Sequence, residues 1–234
     1  MPPMPPGSEP ARLALRLGAA AVLMLVAAVL FGFIARDVVT GDRITVLDAE
    51  IARWLRDRAT PPLTTPMLLV THLHSTLAIG IYSAVAAGLM AARGQWRRVV
   101  TVVVCIGGGL ALNVLMKHAF QRGRPVFEEP LLTLSTYSFP SGHVAGSTLA
   151  YGLLVVFVFR RSRSLPWRAL AVVGAGMAIA VVAFTRLYLG VHYLSDVIAG
   201  FLEGVAWLTL CLSALAESWR RREAGLRQRL PMPQ

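Results

Sequence analysis

Six stretches of this chain meet or approach the roughly 20 consecutive apolar residues that a helix needs to cross the hydrocarbon core of a bilayer. They run from Leu17 to Ala35, within 59–92 with a start near Pro66, and from Val99 to Met116. Three more follow: Gly142 to about Phe159, Ala169 to Thr185, and His192 to about Ala216. In lipid every backbone polar group must find its partner inside the protein, so runs of this length are read as helices. Only 15% of the 234 residues are charged against 56% hydrophobic, too few to clothe a soluble domain of this size. The expectation is an all-α fold, a six-transmembrane-helix bundle over 17–218. A tail over 1–16, proline-rich from Met1 to Pro10 and expected to be disordered, precedes it, and a basic tail over 219–234 follows. The first run exceeds a signal-peptide core and no clear small-residue cleavage site follows, so it is read as a retained helix. From Asp48 to Arg58, Ile51, Trp54 and Leu55 recur at helical spacing among charges, which predicts a short helix lying in the membrane interface.

The formal net charge of +11 raises the question of nucleic acid, and its distribution answers it. Nearly all of the basic residues are arginines at the ends of apolar runs, and no basic stripe alternates with exposed aromatics. Short cytoplasmic loops retain Lys and Arg. Arg93, Arg97 and Arg98 follow the second span, Arg160, Arg161, Arg163 and Arg168 follow the fourth, and Arg220, Arg221, Arg222, Arg227 and Arg229 follow the sixth. All three groups share one side with Arg12 and Arg16 when the N-terminus is cytoplasmic. Cys105 and Cys211 both lie in apolar runs, a pattern of neither a disulfide framework nor a metal cluster. No nucleotide loop, calcium loop or zinc-ligand spacing is present.

Three polar groups then fall on the opposite, outer face. Lys117, Arg122, Arg124 and Pro125 close the third span; Pro140, Ser141, Gly142 and His143 open the fourth; Arg186, His192 and Asp196 flank the passage from the fifth to the sixth. Lys117, Arg124 and Arg186 are cations that call for a counter-anion, and a guanidinium fork matches two phosphate oxygens. Ser141 and Gly142 stand just before a helix, where free N–H groups favour an anion. His192 and Asp196, four apart, share a face if both are helical; a carboxylate on one imidazole nitrogen leaves the other free to attack. His143 is a second histidine, able to give a proton to a leaving oxygen.

Lys117 with Arg124-Pro125 seven residues on, Pro140-Ser141-Gly142-His143, and Arg186 followed by His192 and Asp196 resemble the three motifs of the type 2 phosphatidic acid phosphatase (PAP2) superfamily, in order and in spacing. Thr185 and Leu194 depart from the serine and proline common in that pattern, off the chemical path. The resemblance implies a membrane lipid phosphatase that uses no metal or other cofactor. In it His192 would attack phosphorus and become phosphohistidine, Asp196 would orient it, and His143 would protonate the leaving group and then activate water. Lys117, Arg124, Ser141, Gly142 and Arg186 would hold the phosphoryl oxygens.

The implied partner is a phosphorylated lipid, undecaprenyl pyrophosphate as first choice because recycling that carrier needs dephosphorylation on the outer leaflet. Phosphatidic acid, phosphatidylglycerol phosphate and lipid A phosphates are the alternatives. An anion transporter is the reading from another class, but no internal repeat or broken midplane span supports it. Six spans likewise disfavour a haloperoxidase. The expected location is a bacterial inner membrane with the site facing the periplasm or exterior; no oligomeric state is assigned. His72 and His74 are read as structural, His118 as facing the interface, Asn113 as a support for Lys117, and Glu203 as outside the site. Gly200 and Gly204, and the run Gly107-Gly108-Gly109, are read as close-packing positions.

The topology predicts a labelling pattern. With Cys105 and Cys211 replaced, Glu128→Cys should react with an impermeant thiol reagent on intact cells and Ser162→Cys should not. The reverse pattern would invert the topology.

Overall fold

The computed structural model describes residues 9–229, all of their regular structure being helical. Helix α1 (Glu9–Thr40) is followed by α2 (Arg43–Arg56), α3 (Pro61–Leu73), α4 (Thr76–Ala92) and α5 (Trp96–Val102). A π-helical turn (Val103–Gly107) joins α5 to α6 (Gly108–Phe120), and α7 (Gly142–Arg161), α8 (Leu165–Tyr188) and α9 (Leu194–Arg229) complete the chain. Five spans are long and apolar enough to cross a membrane, and α3 with α4, bent by 44°, makes a sixth. The protein is an integral membrane protein with the expected six-span bundle. The proline-rich tail lies outside the described residues except for Glu9 and Pro10, the first residues of α1. Helix α9 continues unbroken past 218, and 230–234 of the basic tail also lie outside.

Three local features depart from six plain rods. The second span begins at Pro61, not near Pro66, because prolines at the first helical positions lose no hydrogen bond there. It then breaks at His74, and Ser75 restarts it by accepting the Ala78 N–H at 3.1 Å. In the third span the π-helical turn disturbs the regular carbonyl pairing, and the Trp207 indole of α9 donates to Val104 O at 3.3 Å and Cys105 O at 3.1 Å. The short helix expected between the first two spans forms as α2, with Trp54 exposed and Leu55 buried, although it starts earlier, at Arg43.

Helix α9 is the spine, packing mainly on α1 and α7, while α8 packs on α7. The apolar core includes Ile79, Val102, Ile106, Leu149, Leu153 and Leu208. The outward faces of α1 and α8 are apolar and exposed, as lipid-facing surface must be. Small residues allow the close approach of α9. A Cβ on Gly200 would stand 2.5 Å from the Ser141 carbonyl oxygen, and one on Gly204 2.8 Å from Thr148 Cβ. Gly108 and Gly109 likewise press on Trp207, whereas Gly107 has open space and is no packing position.

Gly200→Ala should therefore destabilise the bundle by about 1–3 kcal/mol through overpacking. Gly174→Ala, with nothing within 4 Å of its Cβ, should be neutral or slightly stabilising. Thermal unfolding in detergent measures both, and equal midpoints would refute the close-packing assignment of Gly200.

Candidate active site

The three sequence groups converge at one end of the bundle. Lys117 stands in the last turn of α6, which ends where Gln121 turns left-handed with φ 48°. Its ammonium donates to the Tyr137 carbonyl at 2.6 Å and the Ser138 carbonyl at 3.2 Å, fixing the loop 121–141 over the site. Arg124, in that loop, donates to Thr136 O at 2.7 Å, Tyr137 O at 3.1 Å and Val191 O at 2.5 Å, and its Nη1 lies 3.3 Å from His192 Nε2.

Ser141 caps the start of α7 in extended conformation, but its hydroxyl makes no capping bond. That oxygen is buried and without a partner among the described residues. Gly142 is tightly enclosed: a Cβ there would meet Asn113 Oδ1 at 2.8 Å and Thr76 Oγ1 at 3.2 Å. His143, in the first turn of α7, is half-buried and within electrostatic reach of Arg186, His192, Arg124 and Lys117. Arg186, in the last turn of α8, is fully buried; its Nη1 donates to the Thr71 hydroxyl, while Nε and Nη2 find no partner among the described residues. A buried guanidinium with two unpaired donors suits a multidentate oxyanion such as phosphate, as do a free hydroxyl and a helix N-terminus.

His192 and Asp196 meet, though not on one helical face. His192 lies in the turn before α9, and Asp196 stands in the first turn of α9. Asp196 Oδ2 lies 3.2 Å from His192 Nδ1 and accepts the Tyr193 N–H at 2.9 Å. The carboxylate favours the imidazole proton on Nδ1 and leaves Nε2 as the unprotonated nitrogen, facing Arg124. The Asp196 carbonyl in turn accepts the Ser141 N–H at 2.9 Å, tying the dyad to the start of α7.

Sequence reasoning missed the other half of this arrangement. Arg122 Nη1 donates to Asp196 Oδ1 at 2.6 Å and Ser195 Oγ at 2.7 Å, and Nη2 to Asp48 Oδ2 at 2.8 Å. Burial opposes the charge on Arg122, but Asp196 and Asp48 outweigh it and raise its pKa. Asp48 belongs to α2 and is 1% exposed. The available signal was its position: Asp48, Ala52 and Leu55 form the inward face of α2, where a carboxylate needs a partner. Thr71 and Thr76 gave no comparable signal.

The remaining polar residues resolve as follows. The Asn113 amide turns to other partners than Lys117: it donates to Glu203 Oε2 at 2.7 Å and lies 3.5 Å from Pro140 O. Glu203 is therefore two bonds from the Pro140 turn. His74 bonds the Tyr151 hydroxyl at 2.7 Å, His72 bonds its own helix at Leu68 O, and His118 is exposed against Tyr137.

This geometry gathers three cations and two histidines at one end of a helical bundle, and its relatives give it a class. A family model described as the PAP2 superfamily matches residues 98–220. Phosphatidylglycerophosphatase B of Bacillus subtilis (strain 168) is 31% identical over 150 residues, which span 62% of this chain and 71% of that protein. A putative undecaprenyl-diphosphatase, YbjG of Escherichia coli (strain K12), is 31% identical over 152 residues, 63% of this chain and 70% of that one. The crystal structure of a transmembrane PAP2 type phosphatidylglycerolphosphate phosphatase from Bacillus subtilis superimposes with TM-score 0.72 at 26% identity, covering 83% of this chain and 96% of that one. The chain belongs to the PAP2 superfamily and is an integral-membrane phosphatase of its lipid phosphatase kind.

Burial, with Arg186, Arg124 and Lys117 nearby, holds the His192 pKa well below 6.5. Below pH 6.5 the unfolded chain binds a proton at this position that the folded protein refuses. Folding stability should thus fall as pH drops from about 6.5 towards the folded-state pKa, and be free of this penalty above it. Thermal midpoints from pH 8 to about 5 should show a shallower decline for His192→Gln than for the wild type. Parallel declines would contradict a neutral buried His192.

Proposed function

We propose that the protein hydrolyses the phosphate monoester or pyrophosphate of a lipid at the outer face of a bacterial inner membrane. The reaction proceeds through a phosphohistidine on His192 and without metal. The observation that carries this reading is the buried Arg186, whose Nε and Nη2, like the Ser141 hydroxyl at the start of α7, have no partner among the described residues. Lys117, Arg124, Arg186, Ser141 and the backbone at Gly142 hold the phosphoryl oxygens. His192 Nε2 attacks phosphorus, Asp196 supports the charge that grows on the imidazole, and the leaving oxygen, of the lipid alcohol for a monoester or of the lipid monophosphate for a pyrophosphate, departs with a proton from His143. In the second half His143 takes a proton from water, which attacks phosphorus and frees His192 with inorganic phosphate. The positive charge that a metal supplies in other phosphatases is here supplied by three side chains.

Undecaprenyl pyrophosphate is the first-choice substrate, supported by the arginine distribution, from which we infer an outward-facing site, and by the name of the Escherichia coli relative. Phosphatidylglycerol phosphate is the second reading, favoured by the names of the Bacillus subtilis relative and of the Bacillus subtilis structure. A panel of these two lipids with phosphatidic acid and a lipid A phosphate, presented to the detergent-solubilised protein, ranks them by kcat/KM. Undecaprenyl pyrophosphate should lead. EDTA should leave the rate largely intact and vanadate should inhibit; full loss in EDTA restored by magnesium would refute the metal-free reading.

The histidines should separate by leaving group. His192→Ala should abolish turnover of every substrate. His143→Ala should slow poor leaving groups on the order of 100-fold and good ones much less, since only the former need a proton in the transition state. Equal losses across leaving groups would remove His143 from the acid role.

A further inference from the structure

Asp48 is a buried carboxylate that the proposed reaction does not use. It sits on α2, a helix docked on the bundle by Ala52 and Leu55, and is distant in sequence from every motif. Both of its oxygens are engaged. Oδ1 accepts the Ser195 N–H at 2.9 Å, and Oδ2 accepts Arg122 Nη2 at 2.8 Å and the Ser195 hydroxyl. Arg122 thus bridges two carboxylates, one arm on Asp48 and the other on Asp196 Oδ1, with its guanidinium 4.3 Å above the Tyr193 ring.

A guanidinium facing a single carboxylate tends to pair with both of its oxygens. Asp196 Oδ2, however, is the oxygen that faces His192. An Arg122 fork closed on both Asp196 oxygens would compete with the imidazole and neutralise the carboxylate more fully. Asp48 occupies the second arm and holds it away.

We propose that Asp48 is a positioning residue for the phosphatase reaction: by retaining one arm of Arg122 it confines the other to Asp196 Oδ1 and reserves Oδ2 for His192. This rests on the reading of His192 and Asp196 as the nucleophile and its orienting group. The interface helix α2 is then part of the catalytic assembly, because its docking delivers Asp48. Ser195 serves the same end, joining Asp48 to the first turn of α9 through its N–H and hydroxyl.

The test is a double-mutant cycle of Asp48→Asn and Asp196→Asn in the full-length, detergent-solubilised protein. The substrate is whichever lipid of the panel is turned over fastest. Partners one bond removed from a reactive group typically contribute about 10–100-fold. Asp48→Asn should accordingly lower kcat at least about tenfold while KM and vanadate affinity change less than about threefold. In the Asp196→Asn background the same change should have almost no further effect, because the oxygen it protects no longer carries charge. Glu50→Gln, an exposed neutralisation on the same helix, should leave kcat unchanged and controls for net charge. Vanadate affinity and the thermal midpoint report folding independently of turnover. Undiminished kcat for Asp48→Asn, or an equal loss in both backgrounds, overturns the positioning role while leaving the dyad intact. A wild-type rate for Asp196→Asn alone overturns the dyad and this proposal together.

Discussion

Asp196 joins three separately encoded parts of the molecule through one buried residue. Oδ2 faces His192, Oδ1 receives Arg122, and the main-chain carbonyl accepts the N–H of Ser141. Its carboxylate is fully buried, and an unpaired charge there would be severely destabilising. Each of its bonds therefore stabilises the fold and positions the site at once. The start of α7, the turn after α8 and the loop after α6 are held in mutual register by the same group.

The membrane explains why the polar apparatus gathers where it does. Charged side chains are expensive at bilayer depth, so Lys117, His143, Arg186 and Asp196 occupy the last or first turns of their helices. Helix ends also leave backbone groups unpaired, and in the proposed reaction the start of α7 turns that liability into an anion cradle. The broken second span belongs to the same logic. Its interruption at His74 exposes backbone only where Ser75 can recap it, and it brings Thr71 to Arg186 and Thr76 to Gly142.

Much of this was legible in the chain because hydrocarbon is an unforgiving solvent. Uncharged runs of fixed length can become little other than spanning helices, and the arginines at their ends betray the connecting loops. The convergence of the three polar groups was legible for a different reason: their motifs are local, and Pro140 to His143 or His192 to Asp196 fall within a few residues. What escaped was whatever depends on contact between distant segments. Asp48 reaches Ser195 across 147 positions and Arg122 across 74, and no spacing rule announces such pairs. Asn113 looked like a neighbour of Lys117 by helical periodicity, yet its amide turns to Glu203 on another helix. The π-helical turn escaped too; the Trp207 indole that bonds its carbonyls comes from α9, 103 and 102 positions away.

The central claim is that His192 carries the phosphoryl group between the two half-reactions. The most direct measurement is a rapid acid-free quench during turnover of a lipid bearing radiolabelled phosphate, followed by tryptic digestion. Cleavage after Arg186 and Arg220 releases the peptide 187–220, in which His192 is the sole histidine. The account predicts label on that peptide, stable to alkali and lost in acid as a phosphoimidazole should be. Label on the peptide containing His143, or no labelled peptide while product forms, would contradict it.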